Sequence, residues 1–539
     1  MMHRPTRNTT GRSRALVALS VCSLVAVLTL TTASAGADAT PVLVTRAASG
    51  TSYASGSSGG FILSGNGNVV AFDNTGTDLV AGTDSNSTSD VFAYNRLTNT
   101  TTLVSRSASS LTTAATGGSY VVGISDNGNR ILIRSFASNL VAGLGPSGGL
   151  SHLFLVDMVA NTTELVDHVF GNTAAAPLNE PTDPILSGDG SYVTYASDAD
   201  NLISGFEDVN GTDRDTYRYN SSTKNNLLVS HAATVPQRGG TAGSAPTAIT
   251  PNGSRISYQS NANNLITGFS DSNSLGVDVY LWDRTTTNSV LVSHRWDSEV
   301  QTGNAPAFGF VTRAGNRVIL TSSATTLVSG FVNANGGGTD VFDYGVVSKK
   351  TFLVSRSISN PLAGGNVGSL AMNATTTGNL VLLRSNATDL VAGFADLNGG
   401  GYDLYAGGRD IGSIRLVSRD SSSAHGANQD VPWGSISADG RAVVFATLAS
   451  NLVPGYDTSV ILRQVFSVTL ATATTRLMSG VRGSETRGAN SSTLIPIAPP
   501  PISNDGGVVT FSSGAKNQVS GLGGVTPANP QIYLNTTGV

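Results

Sequence analysis

With 539 residues, more than one compact core needs, the chain is either several domains or one large repeat architecture. Its net charge is −4, and loss of the basic N-terminal 35 residues would leave 27 Lys and Arg against 35 Asp and Glu, or −8, which excludes the basic surface that a nucleic-acid partner needs. The single cysteine, Cys22, excludes a disulfide framework and a cysteine-ligated metal.

The N-terminal stretch reads as a secretory signal peptide. Arg4, Arg7, Arg12 and Arg14 precede the apolar run ALVALSVCSLVAVLTL and the small residues TTASAGADA, with cleavage after Ala35 or Ala37. There is no arginine pair for a twin-arginine signal, and Cys22, preceded by Val21 within the apolar run, does not read as a lipoprotein anchor. The expected organisation is a leader over 1–35 and a single mature domain over 36–539. No later apolar run approaches the roughly 20 residues that span a bilayer, so a secreted, monomeric protein without membrane insertion is expected.

Two blocks then recur along the chain. One is LVTR from Leu43, LVSR from Leu103, LVDH from Leu165, LVSH from Leu228 and Leu291, LVSR from Leu353 and Leu416, and LMSG from Leu477. The other is a turn followed by an apolar alternation, as in SGNGNVVAF, SGDGSYVTY and SADGRAVVF. Its glycines are Gly67, Gly128, Gly190, Gly253, Gly315, Gly378, Gly440 and Gly506, a period of about 62 residues. Each unit reads as four strands: a short strand into an Asn-Gly or Asp-Gly turn, the alternation (VTYAS, VVFAT), a DVFAY-type strand, and the LVS strand. No sustained helical period follows the leader. The expected fold is all-β, an eight-bladed β-propeller of four-stranded blades. One LVS strand precedes the first turn block and none follows the last, at QIYLNTT, so the N-terminal strand is expected to complete the C-terminal blade and leave no open edge.

The pattern S-x-D/N-G-x-x-V-x-F/Y-x-S-x-A-x-N-L-V-x-G, then D-V-F/Y, then L-V-S, resembles the TolB-like, WD-type propeller repeats of secreted bacterial proteins and covers essentially the whole mature chain. The resemblance implies a binding scaffold without intrinsic catalysis.

Within the repeat, D-x-N-x-x-x-x-D recurs as Asp208, Asn210, Asp215; Asp271, Asn273, Asp278; and Asp396, Asn398, Asp403, with a softened copy at Asn333, Asn335, Asp340 and a shorter one at Asp84, Asn86, Asp90. An EF-hand would need glycine at its sixth position and glutamate at its twelfth, and neither is present. Two readings stand: Asx side chains bonding to loop amides, or oxygen ligands gathering calcium. His168, His231 and His294 occupy a position where other repeats carry Arg46, Arg106, Arg356 and Arg419, which points to a hydrogen-bond donor rather than a metal ligand.

The longer loops, from the second to the third strand and between blades, should share one face, the expected ligand surface. On it the residues that break the repeat are Trp296, Asp297 and Glu299 in HRWDSEVQTG, His425, Asp430 and Trp433 in DSSSAHGANQDVPWG, and Glu180 and Asp183 in GNTAAAPLNEPTDP. Trp beside carboxylates suits a sugar ring, and paired carboxylates can hydrolyse a glycosidic bond. No G-x-S-x-G elbow, H-E-x-x-H or phosphate-binding glycine loop is present. The expectation is a non-catalytic platform for a protein, peptide or cell-envelope glycan, needing no cofactor unless calcium. The alternatives are a glycosidase or lyase on the long-loop face and a calcium-stabilised adhesive propeller.

Overall fold

In each repeat the glycine turn is shaped by its own side chains. Ser64 Oγ accepts the Val69 amide at 2.9 Å and donates to Asn66 Oδ1 at 2.8 Å, while that oxygen takes the Asn68 amide at 3.0 Å. Gly67 sits at φ 71°, a conformation that disfavours a side chain. The S-x-D/N-G motif is therefore a self-bonded hairpin. The computed structural model describes residues 40–539 apart from 85, 146–147, 411, 422–424, 460, 495–501 and 523–528. The expected leader over 1–35, with Cys22, lies outside the described residues.

Blade 1 runs outward from the axis as Ser58–Leu63, Val69–Asn74, Asp90–Asn95 and Thr100–Leu103, all antiparallel. Eight such four-stranded sheets form a propeller ring, as expected, with a small extra hairpin of Arg356–Ser357 and Asn360–Gly364. The middle strands alternate between two neighbours. Ala71, Val91 and Ala93 pack with Ile131, Ile133 and Phe154 of blade 2, whereas Phe72, Phe92 and Tyr94 pack with Val508, Ile532 and Leu534 of blade 8.

Blade 8 is closed as expected by the N-terminal strand Val42–Leu43, which pairs with Gln531–Thr536 in the register Val42 to Leu534 and Leu43 to Tyr533. Thr45 Oγ1 donates to Gln531 Oε1 at 2.7 Å and accepts the Ile532 amide at 3.1 Å, tying residues almost the whole chain apart.

That last contact is one copy of a clasp. The serine of LVS donates to the side chain that opens the third strand: Ser105 to Asp90, Ser230 to Asp215, Ser293 to Asp278, Ser355 to Asp340, Ser418 to Asp403 and Ser479 to Gln464, all between 2.6 and 2.8 Å. Blade 2 exchanges the roles, with His152 Nδ1 against Asp167 Oδ2 at 2.7 Å. Burial pushes Asp90, Asp215, Asp340 and Asp403 up to about 6 and Asp278 up to about 7, with the serine hydroxyl opposing the shift. Each of these aspartates also receives an Asn side-chain amide from its own loop, from Asn86, Asn210, Asn273, Asn335 or Asn398. Blades 2, 7 and 8 lack that asparagine and carry His152, Gln464 and Gln531 in place of the aspartate. A buried carboxylate is thus used where a second donor stands, and a group able to be neutral where it does not.

Candidate functional site

Antiparallel order puts the short turns at one end of the central channel and the long loops at the other. At the turn end the backbone forms a ring: Asn504 N bonds Gly65 O, Asn66 N bonds Asp126 O, Asp126 N bonds Gly188 O and Asp189 N bonds Pro251 O, with Ala314 to Thr376, Thr376 to Ala438 and Asp439 to Asn504 continuing it. The link from blade 4 to blade 5 is missing among the described residues, where Pro251 has no N–H. Inside this ring Arg313 of blade 5 reaches Asp126 of blade 2 at 2.5 Å, and Asn504 of blade 8 donates to the same carboxylate at 3.1 Å. Three blades spaced around the axis so meet in a polar plug.

The long-loop end is built differently. Tyr120 opposes Arg134 in the sheet register and Phe308 opposes Thr321, the equivalent position of blade 5. Trp433, immediately before Gly434–Ile436, occupies the corresponding place in blade 7. All three open the innermost strand at the channel mouth, and they are 42, 54 and 38% exposed. Sequence reasoning singled out Trp433 and missed Tyr120 and Phe308. Aligning the repeats on the innermost strand, rather than searching for tryptophan, is the signal that finds them.

The predicted site residues separate into groups. Trp433 lies under the guanidinium of Arg384, 4.2 Å from the ring centre, and Arg384 also stacks on Tyr402 at 4.7 Å. Asp430 accepts the Tyr402 amide at 2.7 Å. Glu180 makes the same link in blades 2 and 3, accepting the Ser151 amide at 2.7 Å, and that bond is the main cause holding its carboxyl below the usual range. The reason is local: elsewhere the first residue of the innermost strand donates its amide to the preceding blade, as Ser119 does to Ser89 O and Ser244 to Arg214 O. Pro181 and Pro432 stand at that place and cannot donate. Their carbonyls accept Arg134 and Arg384, both at 2.8 Å, and the acids beside them make a tie of opposite sense, accepting the Ser151 and Tyr402 amides of the preceding blade. Glu180 and Asp430 lie at junctions four blades apart, so they do not form a pair.

Trp296 and Glu299 lie at the outer rim. The Trp296 amide bonds Thr326 O, a link repeated by Phe170 to Asn201 O and Ile358 to Asp389 O, so Trp296 is an exposed variant of a repeat position. Asp297 pairs with Arg295 at 2.7 Å, and Glu299 pairs with Lys349 at 2.5 Å, in the turn between the outer strands of blade 5. His425 bridges to Ala395 in the inter-blade loop, and its ring lies 3.7 Å from Asp420.

In the D-x-N loops the leading acids face amides. Asp208 Oδ1 accepts Asn210 and Gly211 N, both at 2.9 Å, Asp271 accepts Asn273 and Leu275 N, both at 2.7 Å, and Asp396 accepts Asn398 and Gly400 N, both at 2.9 Å. Asp215, Asp278 and Asp403 are the clasp residues. Among the described residues no three His, Cys, Asp or Glu side chains gather as a metal site requires. At two of the three histidines the ring is the expected donor to the next blade's outer turn, His231 Nε2 meeting Thr287 O at 2.7 Å and His168 Nε2 meeting Lys224 O at 2.8 Å, whereas His294 meets only its neighbour Arg295 O, through Nδ1 at 2.7 Å.

Two hollows differ in kind. One of about 470 Å³ lies at the rim by the closure seam, lined by Arg46, Leu79, Tyr94 and Leu111. A hollow of about 310 Å³ repeats it at blade 3, lined by Phe170, Ile203 and His231, so this feature belongs to the repeat. The other, of about 320 Å³, opens at the mouth over blades 3 and 4, lined by Thr182, Asp183, Asp213, Arg214, Gln259 and Asn261. Asp183 sits in a bulge of its strand at φ 51°.

No family model matches the chain, and no curated protein matches it significantly. Solved structures similar to it include an oligogalacturonate lyase in complex with manganese (11% identity, 77% of this chain and 87% of that one, TM-score 0.39). TolB from Acinetobacter baumannii is similar at 12% identity over 78% of this chain and 79% of that one, TM-score 0.31. The acylaminoacyl peptidase of Pyrococcus horikoshii is similar at 10% identity over 85% of this chain and 58% of that one, TM-score 0.35. The TolB-like resemblance read from the repeats is therefore found among solved structures too. The expectation that it implies a protein without catalysis is corrected: a lyase and peptidases stand beside TolB among the similar structures, so membership of this architecture does not separate scaffolds from enzymes.

Proposed function

We propose that this protein is an extracytoplasmic binding platform that takes a protein, peptide or cell-envelope glycan at the long-loop mouth of its propeller. The observation that carries the reading is the asymmetry of the channel. One end is closed by a ring of turn amides and the Asp126–Arg313–Asn504 plug, while the other presents Tyr120, Phe308 and Trp433 half-exposed at one strand position. Large rings left in water on a rigid scaffold, beside guanidinium and carboxylate groups, are the ingredients of a recognition surface. The leader-like N-terminus supports the compartment. The test is binding to isolated cell-envelope material. Wild type should bind, and the combined variant Tyr120→Ala, Phe308→Ala, Trp433→Ala, with unchanged circular dichroism, should lose at least tenfold in affinity. Equal binding by both would remove the mouth as the platform.

A further inference from the structure

Six Asn-Gly steps occur in the repeats: Asn66-Gly67, Asn127-Gly128, Asn210-Gly211, Asn252-Gly253, Asn335-Gly336 and Asn398-Gly399. Such a step is open to spontaneous deamidation, because glycine has no side chain to shield its amide nitrogen from the Cγ of the preceding asparagine. The six glycines share one backbone conformation, with φ between 63 and 76°, so conformation does not separate them. Their amides do. Gly67, Gly128 and Gly253 N bond the turn carbonyls of Ser64, Ser125 and Thr250 at 2.8 to 3.0 Å, and Gly211 N bonds Asp208 Oδ1 at 2.9 Å. Among the described residues the Gly336 and Gly399 amides have no acceptor, and both glycines are exposed.

Blade 3 is an internal control for blades 5 and 6. Asn210, Asn335 and Asn398 stand at equivalent places, and each gives its Nδ2 to the clasp carboxylate, Asp215 at 3.4 Å, Asp340 at 2.9 Å and Asp403 at 3.2 Å. The Oδ1 of all three has no partner. What differs is the residue heading the loop. Asp208 Oδ1 takes both Asn210 N and Gly211 N, whereas Asp396 takes Asn398 N and then Gly400 N, and Asn333 Oδ1 takes Asn335 N. The nitrogen that would attack is held in blade 3 and free in blades 5 and 6.

We propose that Asn335 and Asn398 are the sites at which the folded protein deamidates. The Gly336 or Gly399 amide loses its proton to hydroxide and its nitrogen attacks the asparagine Cγ. A succinimide closes as Nδ2 leaves as ammonia, and water then opens the ring to aspartate or isoaspartate. The product strikes the clasp. A donor to Asp340 or Asp403 becomes a second carboxylate, set against one that burial already pushes up to about 6. A converted blade is therefore least stable where both acids are ionised, and recovers as pH falls and one of them takes up a proton.

The test is incubation of the purified protein in mildly alkaline buffer, folded and in urea, with aspartyl and isoaspartyl peptides followed by mass spectrometry. Attack at the other four steps must first break a hydrogen bond, so in the folded protein Asn335 and Asn398 should convert about tenfold faster than Asn66, Asn127, Asn210 and Asn252. In urea, where those bonds are gone, all six should convert at similar rates. Asp208→Ala, which frees the Gly211 amide, should bring Asn210 up to the rate of Asn335. The double variant Asn335→Asp, Asn398→Asp should melt below wild type at pH 8, by a margin that narrows at pH 5. The inference is overturned if Asn335 and Asn398 convert no faster than the other four in the folded protein, if their lead persists in urea, or if Asp208→Ala leaves Asn210 unchanged. Equal melting of the double variant and wild type at pH 8 would overturn the consequence for the clasp.

Discussion

Replacing Ser293 with alanine tests the clasp that organises every blade. Ser293 Oγ donates to Asp278 Oδ1 at 2.8 Å and accepts the Val279 amide at 3.0 Å, and both side chains are buried. The substitution leaves a carboxylate short of a donor and an amide short of an acceptor. At about 1–3 kcal/mol per unsatisfied buried group, discounted because Asn273 Nδ2 still reaches Asp278 at 3.2 Å, the cost at pH 8 is about 2–4 kcal/mol. Asp278 is pushed up to about 7 by burial, above an unfolded value of about 3.9. The folded protein therefore holds this proton more tightly than the unfolded chain, and stability from this group is greatest at low pH and lost as pH rises through about 7. At pH 5 the folded carboxyl is protonated and no longer needs the serine as donor, so the cost of Ser293→Ala should fall to about half, the part belonging to the Val279 amide. Urea unfolding followed by tryptophan fluorescence at pH 5 and pH 8, on wild type and variant, reads both numbers. A cost below about 0.5 kcal/mol at pH 8, or one that does not change with pH, would refute the reasoning.

Three further outcomes are expected. Thr45→Val removes the hydroxyl that joins Gln531 and the Ile532 amide and should cost about 1–3 kcal/mol, with limited proteolysis cutting first near residue 46; unchanged protease resistance would show that the seam does not limit opening. His231→Arg should leave the melting temperature within about 2 °C, because arginine reaches the next blade's outer turn from the same place, Arg106 to Asn161 Oδ1 and Arg356 to Asp410 O, whereas His231→Phe, with no donor for Thr287 O, should lower it by several times more. Melting with excess calcium and with chelator should agree, since the D-x-N acids already hold loop amides and clasp serines; a chelator-dependent fall would mean that these loops bind metal.

Strand number, period, blade count and ring closure were legible in the sequence because each depends on local chemistry: the self-bonded turn at Gly67, period-2 alternation, and an LVS strand left over at one end. The acid-to-serine clasp was legible in part, as repeated letters whose exchange for His152, Gln464 and Gln531 is explained by the missing asparagine. Radial position was not legible. Trp296 and Trp433 both fall in inter-blade loops, yet one ends at the rim and the other at the mouth, because a loop crossing from the outermost strand of one blade to the innermost strand of the next passes every radius. Nor could sequence show that Glu180 and Asp430, beside the donor-less Pro181 and Pro432, tie to the preceding blade as acceptors, since the amides they hold belong to Ser151 and Tyr402 of that blade. The repeat by itself determined how many blades form and how the ring closes; only tertiary packing decided which side chains retain unused hydrogen-bonding groups at the mouth, because that depends on which backbone groups of neighbouring blades come to face them.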